Sequence, residues 1–551
     1  MMMVSNLSLS LLLLLPLAGS AFELSLHLTT KGAEELDSTF WAIATPSSDR
    51  YAKFLEVEEL AAMIGSDQSC IDAASAFLKQ SGGENLVVSP LKDSITATFL
   101  HGHSLLLSDA GHPKSTPDCV KFTVRKDHYH EGVYPRPRAS ASASAPYTIS
   151  KIKNAYGMPT DLTAINPATS VMTWGPGTFG YSVAELEHLK LTQAPKINLD
   201  KVVFDNENHG EPGGDNFGEG QLDVNMLSAF ALNATVIVSN TNTSSSTEES
   251  TGFGAALLDF LTELAGRETV PHVLSMSLGS LSAASCDLLC DAAIEEGYSQ
   301  KDCDDYLAKQ RQVCMFLTQD QTDKISMALQ VLGTRGVTVL AASGDGGSHF
   351  SFQAFESDGG IGDVLNEASC ANSIPVFPTA SPYVLSIGGE MWRNGNSDHP
   401  ITWSYLGSSG SGGGFSIQFD QPEHQKDVVA EYLKKDGMPP ADSYNAGSRA
   451  YPDMAAVGVS GTSQSCPISA GMFAMIIDQR LNAGLPGLGF VAPRLYEVAT
   501  KFPGEAFQDI VGGDSSTTCD TGFPATDGWD ANTGFGRPIW DGWAKHFGED
   551  N

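Results

Sequence analysis

The chain has 551 residues, 32 Lys+Arg against 65 Asp+Glu, and a formal net charge of −33. Such a shortage of cations excludes a surface that neutralises nucleic-acid phosphates or docks on anionic lipid. With 41% hydrophobic and 18% charged residues, the chain can bury large cores in two or three domains and is not disordered overall.

At the N-terminus, Leu11–Leu15 forms an apolar run followed by Ala18, Gly19, Ser20 and Ala21. This reads as a secretory signal over residues 1–21, although no Lys or Arg precedes it. A membrane anchor is the other reading, but no later stretch is apolar for long enough to span a bilayer. The expected destination is secretion, or a lysosome or vacuole. In that setting the nine cysteines become disulfide partners with at least one left over. Asn233 and Asn242 head glycosylation sequons.

Residues 22–134 read as a compact α+β unit. Glu23–Leu28 alternates like a strand, and Val57–Ile64 and Ile71–Gln80 have helical spacing. The stretch 135–146, small residues flanked by prolines, reads as an exposed linker. Beyond it, over residues 147–551, helices alternate with short apolar strands. Helices are expected at Gly220–Leu232, Ala255–Ala265 and Lys324–Leu332. Strands are expected at Ala234–Ser239, His272–Ser277 and Val337–Ala342. Non-alternating Val/Ile/Leu strands between helices predict a parallel sheet covered on both faces. The segment 281–320 interrupts this rhythm with Cys286, Cys290, Cys303 and Cys314 among charges. It reads as a disulfide-pinned helical insertion; a zinc site is the alternative, which these spacings fit poorly.

Three segments could carry chemistry. Glu219 and Asp223 lie four apart on one face of a helix that is otherwise apolar from Met226 to Leu232. Two carboxyls losing hydration together repel and share a proton, which suits a general base working in acid. The plainer reading is acids stabilising a helix dipole. Second, Ser460-Gly-Thr-Ser463 leads into a small-residue helix with Pro467 near its start. A hydroxyl there meets free N–H groups that favour an attacking serine and an oxyanion; simple capping is the alternative. Third, Asp345 follows a strand expected to be parallel, where open α/β sheets bind ligands, or it marks an ordinary Asp-Gly turn.

Taken together, these segments resemble the sedolisins, or serine-carboxyl peptidases, most closely the tripeptidyl-peptidase branch. The resemblance also rests on residues 381–389 (SPYVLSIGG), 411–416 (SGGGFS), 449–456 (RAYPDMAA), 492–496 (APRLY) and 528–538 (GWDANTGFGRP). Residues 22–134 resemble the family's pro-segment through 48–55 (SDRYAKFL) and Glu58-Glu59. The resemblance implies a subtilisin-like fold with Ser463 as nucleophile, Glu219 as its base, Asp223 orienting that base and Asp345 stabilising the oxyanion. A carboxylate base fits acid conditions, where an imidazole would be cationic. His209 lies in a polar Gly-rich loop without the motif a histidine base would need, and reads as a surface residue.

Further implications concern ligands and pairing. One structural Ca²⁺ is implied, with carboxylate oxygens from Asp509 and Asp530 and carbonyls from Ile510, Thr526 and Gly528, a ligand set suited to a hard cation. Cys370 is expected to pair with Cys519, and Cys70 with Cys119. Cys466 would be a leftover buried thiol, with a cysteine nucleophile as the rival. His128, His130 and Glu131 read as a solvated turn rather than a metal site.

One departure stands out. The family places roughly fifteen to twenty residues, including a strand, between the YPD-x-AA and SGTS motifs; here only Val457, Gly458 and Val459 intervene. The expected activity is an acid-acting peptidase releasing N-terminal tripeptides from peptide or protein substrates, with the pro-segment as intramolecular inhibitor. The alternatives are an endopeptidase and an inactive secreted binding relative. A sugar-binding wall protein ranks last, because the seven tryptophans are scattered.

Overall fold

The computed structural model describes residues 21–100, 115–127, 147–205, 217–241, 245–246, 252–309, 313–350, 355 and 359–549. The signal segment, the linker 135–146, His128, His130, His209 and the Asn242 sequon therefore lie outside the described residues.

The N-terminal unit runs β1 (Ala21–Leu28), α1 (Ala33–Ala44), α2 (Val57–Ile64), α3 (Gln68–Gln80), β2 (Glu84–Val88), β3 (Ser94–Leu100) and β4 (Val120–Asp127). β1 alternates as its sequence predicts: Leu24 and Leu26 are buried under α3 while Ser25 bonds across to Thr96 at 2.7 Å. Its sheet is antiparallel in the order β2-β3-β1-β4. The Cys70–Cys119 disulfide pins α3 to the approach to β4.

The larger unit contains α4 (Ile149–Ala155), β5 (Ser170–Pro176), β6 (Val202–Phe204), α5 (Phe217–Phe230), β7 (Thr235–Thr241) and β8 (Ser245–Ser246). It continues through α6 (Phe253–Gly266), β9 (Val273–Met276), α7 (Gln319–Thr334), β10 (Thr338–Ala342), β11 (Leu385–Trp392), β12 (Pro400–Thr402), β13 (Met454–Val457) and α8 (Thr462–Asn482). The main sheet has the order β12-β11-β10-β9-β5-β7-β6, and β13 also pairs with β11. Every pair is parallel except β11 with β12. Strands such as β10, Thr-Val-Leu-Ala-Ala, are buried along their whole length because helices cover both faces. One face packs on α5 and α8, the other on α6 and α7.

The second face also receives the N-terminal unit, whose Leu36, Val57, Leu60 and Ile64 join the core around α6 and α7. Polar contacts fix its register. Lys324 of α7 meets Asp93 at 2.5 Å in a buried pair, Lys126 of β4 meets Asp259 at 2.7 Å, and β4 pairs with β8. The insertion after β9 folds as helices Ala283–Glu295 and Gln300–Lys309. The disulfides Cys286–Cys314 and Cys290–Cys303 staple it, so all four cysteines are spent on sulfur and none on zinc. Cys370 pairs with Cys519.

Candidate active site

The sheet brings the three sequence segments to one place. Asp345 follows β10 by three residues, Glu219 and Asp223 lie on α5, and Ser463 is the second residue of α8. The start of α8 has no side-chain cap from its own N-cap residue, Gly461. Asp345 takes that role from across the fold. Its Oδ1 accepts the backbone N–H and the hydroxyl of Thr462, both at 2.8 Å. Gly461 has φ +92°, and a Cβ there would stand 2.5 Å from Asp345 Oδ2, so only glycine admits the carboxyl.

Pro467 has a second effect. Lacking an N–H, it leaves the carbonyl of Ser463, four residues back, without an intrahelical donor. The Ser277 hydroxyl points at that carbonyl at 3.3 Å and at Asp223 Oδ1 at 2.8 Å. Thr173 of β5 donates to Asp223 Oδ2 at 2.7 Å. Both oxygens of Asp223 are thus engaged by hydroxyls. Asp223 and Glu219 interact electrostatically, and no direct hydrogen bond joins their side chains.

Glu219 and Asp223 are buried, and Ser463 is the one residue of the first helical turn that is not fully buried. Burial lifts the Glu219 carboxyl to about 7; hydrogen bonding to Ser463 restrains the rise and the charge of Asp345 adds to it. Asp223 is pushed well above the usual carboxyl range by burial and by the charge of Glu219. Asp345 is raised by burial against the pull of Thr462. Despite the proximity of Ser463 and Glu219, the serine's well-formed bond is to the Ser277 carbonyl at 3.3 Å, and Glu219 Oε1 is buried without a partner.

Cys466 faces the other way. Its Sγ contacts Ser275 Oγ at 3.4 Å and the Met276 carbonyl at 3.6 Å, and burial pushes the thiol to about 12. It is a packing residue, not a nucleophile. The short connection after β13 closes without a further strand. Val457 still pairs with Glu390, Gly458 donates to the Glu390 carbonyl at 2.9 Å, and α8 begins at Thr462.

Sequence reading missed Thr173, Ser277 and Thr462. Single hydroxyls on strands and turns give no pattern, and only the fold shows that they converge on carboxyls. The expected calcium residues do gather. Asp509 accepts from Ile510 N at 2.8 Å and Gly528 N at 2.7 Å. Asp530 accepts from Thr526 N at 3.0 Å and Thr533 N at 2.7 Å. Among the described residues no cluster of three or more His, Cys, Asp or Glu forms a metal site. At the Asn233 sequon the amide nitrogen donates to the Ala164 carbonyl at 2.8 Å and Oδ1 accepts from Asn198 at 3.0 Å, so the side chain is engaged in the fold.

A serine on a helix tip, flanked by buried carboxyls at the carboxyl ends of a parallel sheet, defines a serine hydrolase of subtilisin-like fold. Residues 18–103 match the family described as "Pro-kumamolisin, activation domain". Physarolisin of Physarum polycephalum is 25% identical over 93% of this chain and 91% of its own. Tripeptidyl-peptidase 1 of Mus musculus is 25% identical over 94% and 89%, respectively. In fold, a Pseudomonas sedolisin (serine-carboxyl proteinase) complexed with two molecules of pseudo-iodotyrostatin matches 74% of this chain and 100% of its own, with TM-score 0.51 and 18% identity. The chain is similar to the sedolisins along most of its length and is a serine-carboxyl peptidase with an N-terminal pro-domain.

Proposed function

We propose that the protein is a pro-enzyme that releases tripeptides from peptide N-termini through an acyl-enzyme on Ser463. Glu219 removes the hydroxyl proton as Ser463 attacks the scissile carbonyl. The oxyanion forms between backbone N–H groups at the tip of α8 and the Asp345 carboxyl, which must carry a proton to donate to it. Collapse of the tetrahedral species expels the amine, with Glu219 returning its proton, and water then hydrolyses the ester. Asp223 positions Glu219 electrostatically. The observation that carries this reading is the convergence of Glu219, Asp345 and Ser463 in one cluster, with the carboxyls buried and the serine partly exposed. Glu219 must be ionised and Asp345 protonated together, so the rate falls as acid protonates Glu219 and again as base ionises Asp345.

Residues 22–134 serve as the inhibitory pro-segment, 135–146 as the linker and 147–551 as the catalytic unit. The burial of α1 and α2 against α7 supports this division. Secretion or lysosomal or vacuolar targeting fits the four disulfides; among the described residues no helix is long and apolar enough to cross a membrane. A structural Ca²⁺ fits the C-terminal loops. Asp530 is wholly buried, no Lys or Arg among the described residues pairs with it, and the Thr526 hydroxyl beside it is buried without a partner. Asp509 and Asp530 with the carbonyls of Ile510, Thr526 and Gly528 would hold the ion, which would tie these loops together.

The test uses acid-matured protein with two peptides of one sequence, one with a free amine and one N-acetylated. Tripeptides should leave only the free peptide, and Ser463→Ala should neither release them nor shed its pro-segment. Internal cleavage of both peptides would replace this reading with an endopeptidase. Silence of correctly processed wild-type protein would replace it with a binding protein.

A further inference from the structure

Beneath the nucleophile turn lies a buried polar cluster that the chemistry above does not use. β13 delivers the chain to Ser463 through a link of only four residues, Gly458–Gly461. The strand pairs with β11 on one side, so its outward N–H groups need partners from elsewhere. Ala455 N donates to the Gly536 carbonyl at 2.9 Å. Val457 N, on the last residue of the strand, donates to the hydroxyl of Tyr156 at 2.7 Å. That hydroxyl passes its own proton to Glu390 Oε1 at 3.0 Å. Glu390 lies on β11 directly opposite Val457, and its backbone carbonyl accepts Gly458 N. One residue therefore grips both sides of the strand's exit, directly and through the tyrosine.

The far side of Glu390 is unusual. Its Oε2 lies 3.7 Å from Arg537 Nη1, and neither atom has a hydrogen-bond partner. Tyr156, Glu390 and Arg537 are 1%, 0% and 3% exposed. Burying an acid with one oxygen unsatisfied is costly, and an apolar residue would pack there more cheaply. What the acid alone provides is a fixed acceptor that aims the Tyr156 hydroxyl at Val457. Tyr156 is itself anchored, since its carbonyl accepts Trp540 N at 2.8 Å.

We propose that Tyr156, oriented by Glu390, is a positioning residue for catalysis: its hydroxyl clamps the end of β13 and so sets where Ser463 stands at the tip of α8. The inference rests on reading Ser463 as the nucleophile. The clamp acts on the turn of the nucleophile and not on the substrate cleft, so its loss lowers kcat and leaves KM alone.

The experiment measures kcat and KM of acid-matured full-length variants together with their thermal melts. Tyr156→Phe should lose about tenfold in kcat, with KM within about twofold and a cooperative melt. Glu390→Leu, which removes the acceptor, should reproduce that loss, and Glu390→Gln, which retains one, should restore most of the rate. The double variant Tyr156→Phe/Glu390→Leu should be no slower than either single, since both break one clamp. Wild-type kcat in cooperatively melting Tyr156→Phe would overturn the proposal, as would an effect on KM alone or losses that multiply in the double variant. Should Tyr156→Phe not fold, the contrast between Glu390→Gln and Glu390→Leu decides: equal rates overturn it. Ser463→Ala runs alongside. If it still turns over substrate, the assignment of the nucleophile has failed; if it is inert while Tyr156→Phe is fully active, only the clamp has failed.

Discussion

Two carboxyl pairs, one wholly buried and the other with Asp530 buried and Asp509 half-buried, are separated in use by what surrounds them. In the cleft, Glu219 and Asp223 face hydroxyls: Ser463, Thr173 and Ser277. In the C-terminal loops, Asp509 and Asp530 face mainly backbone N–H groups, from Ile510, Gly528, Thr526, Asn532 and Thr533, with the Thr533 hydroxyl the one side-chain donor to Asp530. A hydroxyl can rotate, donate or accept, so protons in the first cluster can be relocated during a reaction. A backbone N–H only donates and cannot move, so it favours the ionised carboxylate against the burial that raises Asp509 and Asp530, and a bound cation would favour it further. Burial of acids is common to both regions; the donor set tells them apart.

The most severe way to break this comparison is to remove proton exchange from the cleft alone. Glu219→Gln preserves size and burial but cannot accept the Ser463 proton. We expect kcat to fall roughly 10³-fold, with a melt at neutral pH no lower than wild type, because an amide carries no penalty for being charged in a buried site. Loss below tenfold in rate assays of matured protein would mean that another group accepts the proton.

The next test sets pH against calcium. Glu390, like Glu219, is raised by burial to about 7 from 4.5. A raised value stabilises the fold fully below pH 4.5, and that stability is lost as pH rises through 7. For fully buried Glu390 this is worth ~3 kcal/mol. The C-terminal pair should behave oppositely once a cation is bound, because protons compete with it and its affinity falls with acid. Calcium at 100 times its Kd should add about 2.7 kcal/mol near neutral pH and progressively less toward pH 4. Asp530→Asn should abolish the calcium effect and leave the acid stabilisation by Glu390 intact. Thermal melts across pH, with calcium or chelator, read both signs in one series. Calcium-independent melts of wild type would remove the cation from the C-terminal loops.

The two regions also differed in how far the sequence exposed them. The parallel strands and their helices were visible as buried Val/Ile/Leu runs, and Val57–Ile64 is helical over the predicted span. Glu219 and Asp223 stood out because acids interrupt an apolar helix. Asp345 and Ser463 stood out through the glycines around them, which the close approach at Gly461 requires. By spacing alone, Asp509 and Asp530 were ordinary loop acids; only resemblance picked them out, because backbone donors leave no residue signature. Glu390 and Arg537 were invisible for a different reason. They are 147 residues apart, and only the pairing of β11 with β13, together with the bond from Ala455 N of β13 to the Gly536 carbonyl, brings them under the nucleophile turn. The pairing within the insertion was equally open, since four cysteines permit three connectivities and helix packing chose one.

The mildest change sharpens the comparison from inside the cleft. Asp345 is the one carboxyl there that resembles the C-terminal pair, because its Oδ1 accepts a backbone N–H, from Thr462, as well as a hydroxyl. Those bonds favour its ionised form, while burial and the reading of its role favour the protonated form. If Asp345 works as a donor to the oxyanion, the protonated state is the active one, and its ionisation produces the alkaline fall in rate. Asp345→Asn retains an acceptor for Thr462 and offers an amide donor at every pH. The acidic limb, set by Glu219, should remain, and the alkaline limb should flatten, with kcat at the optimum down about tenfold because a neutral amide donates less strongly than a carboxylic acid. A profile that keeps its alkaline fall would move that ionisation to another group and leave Asp345 as the cap of α8 alone.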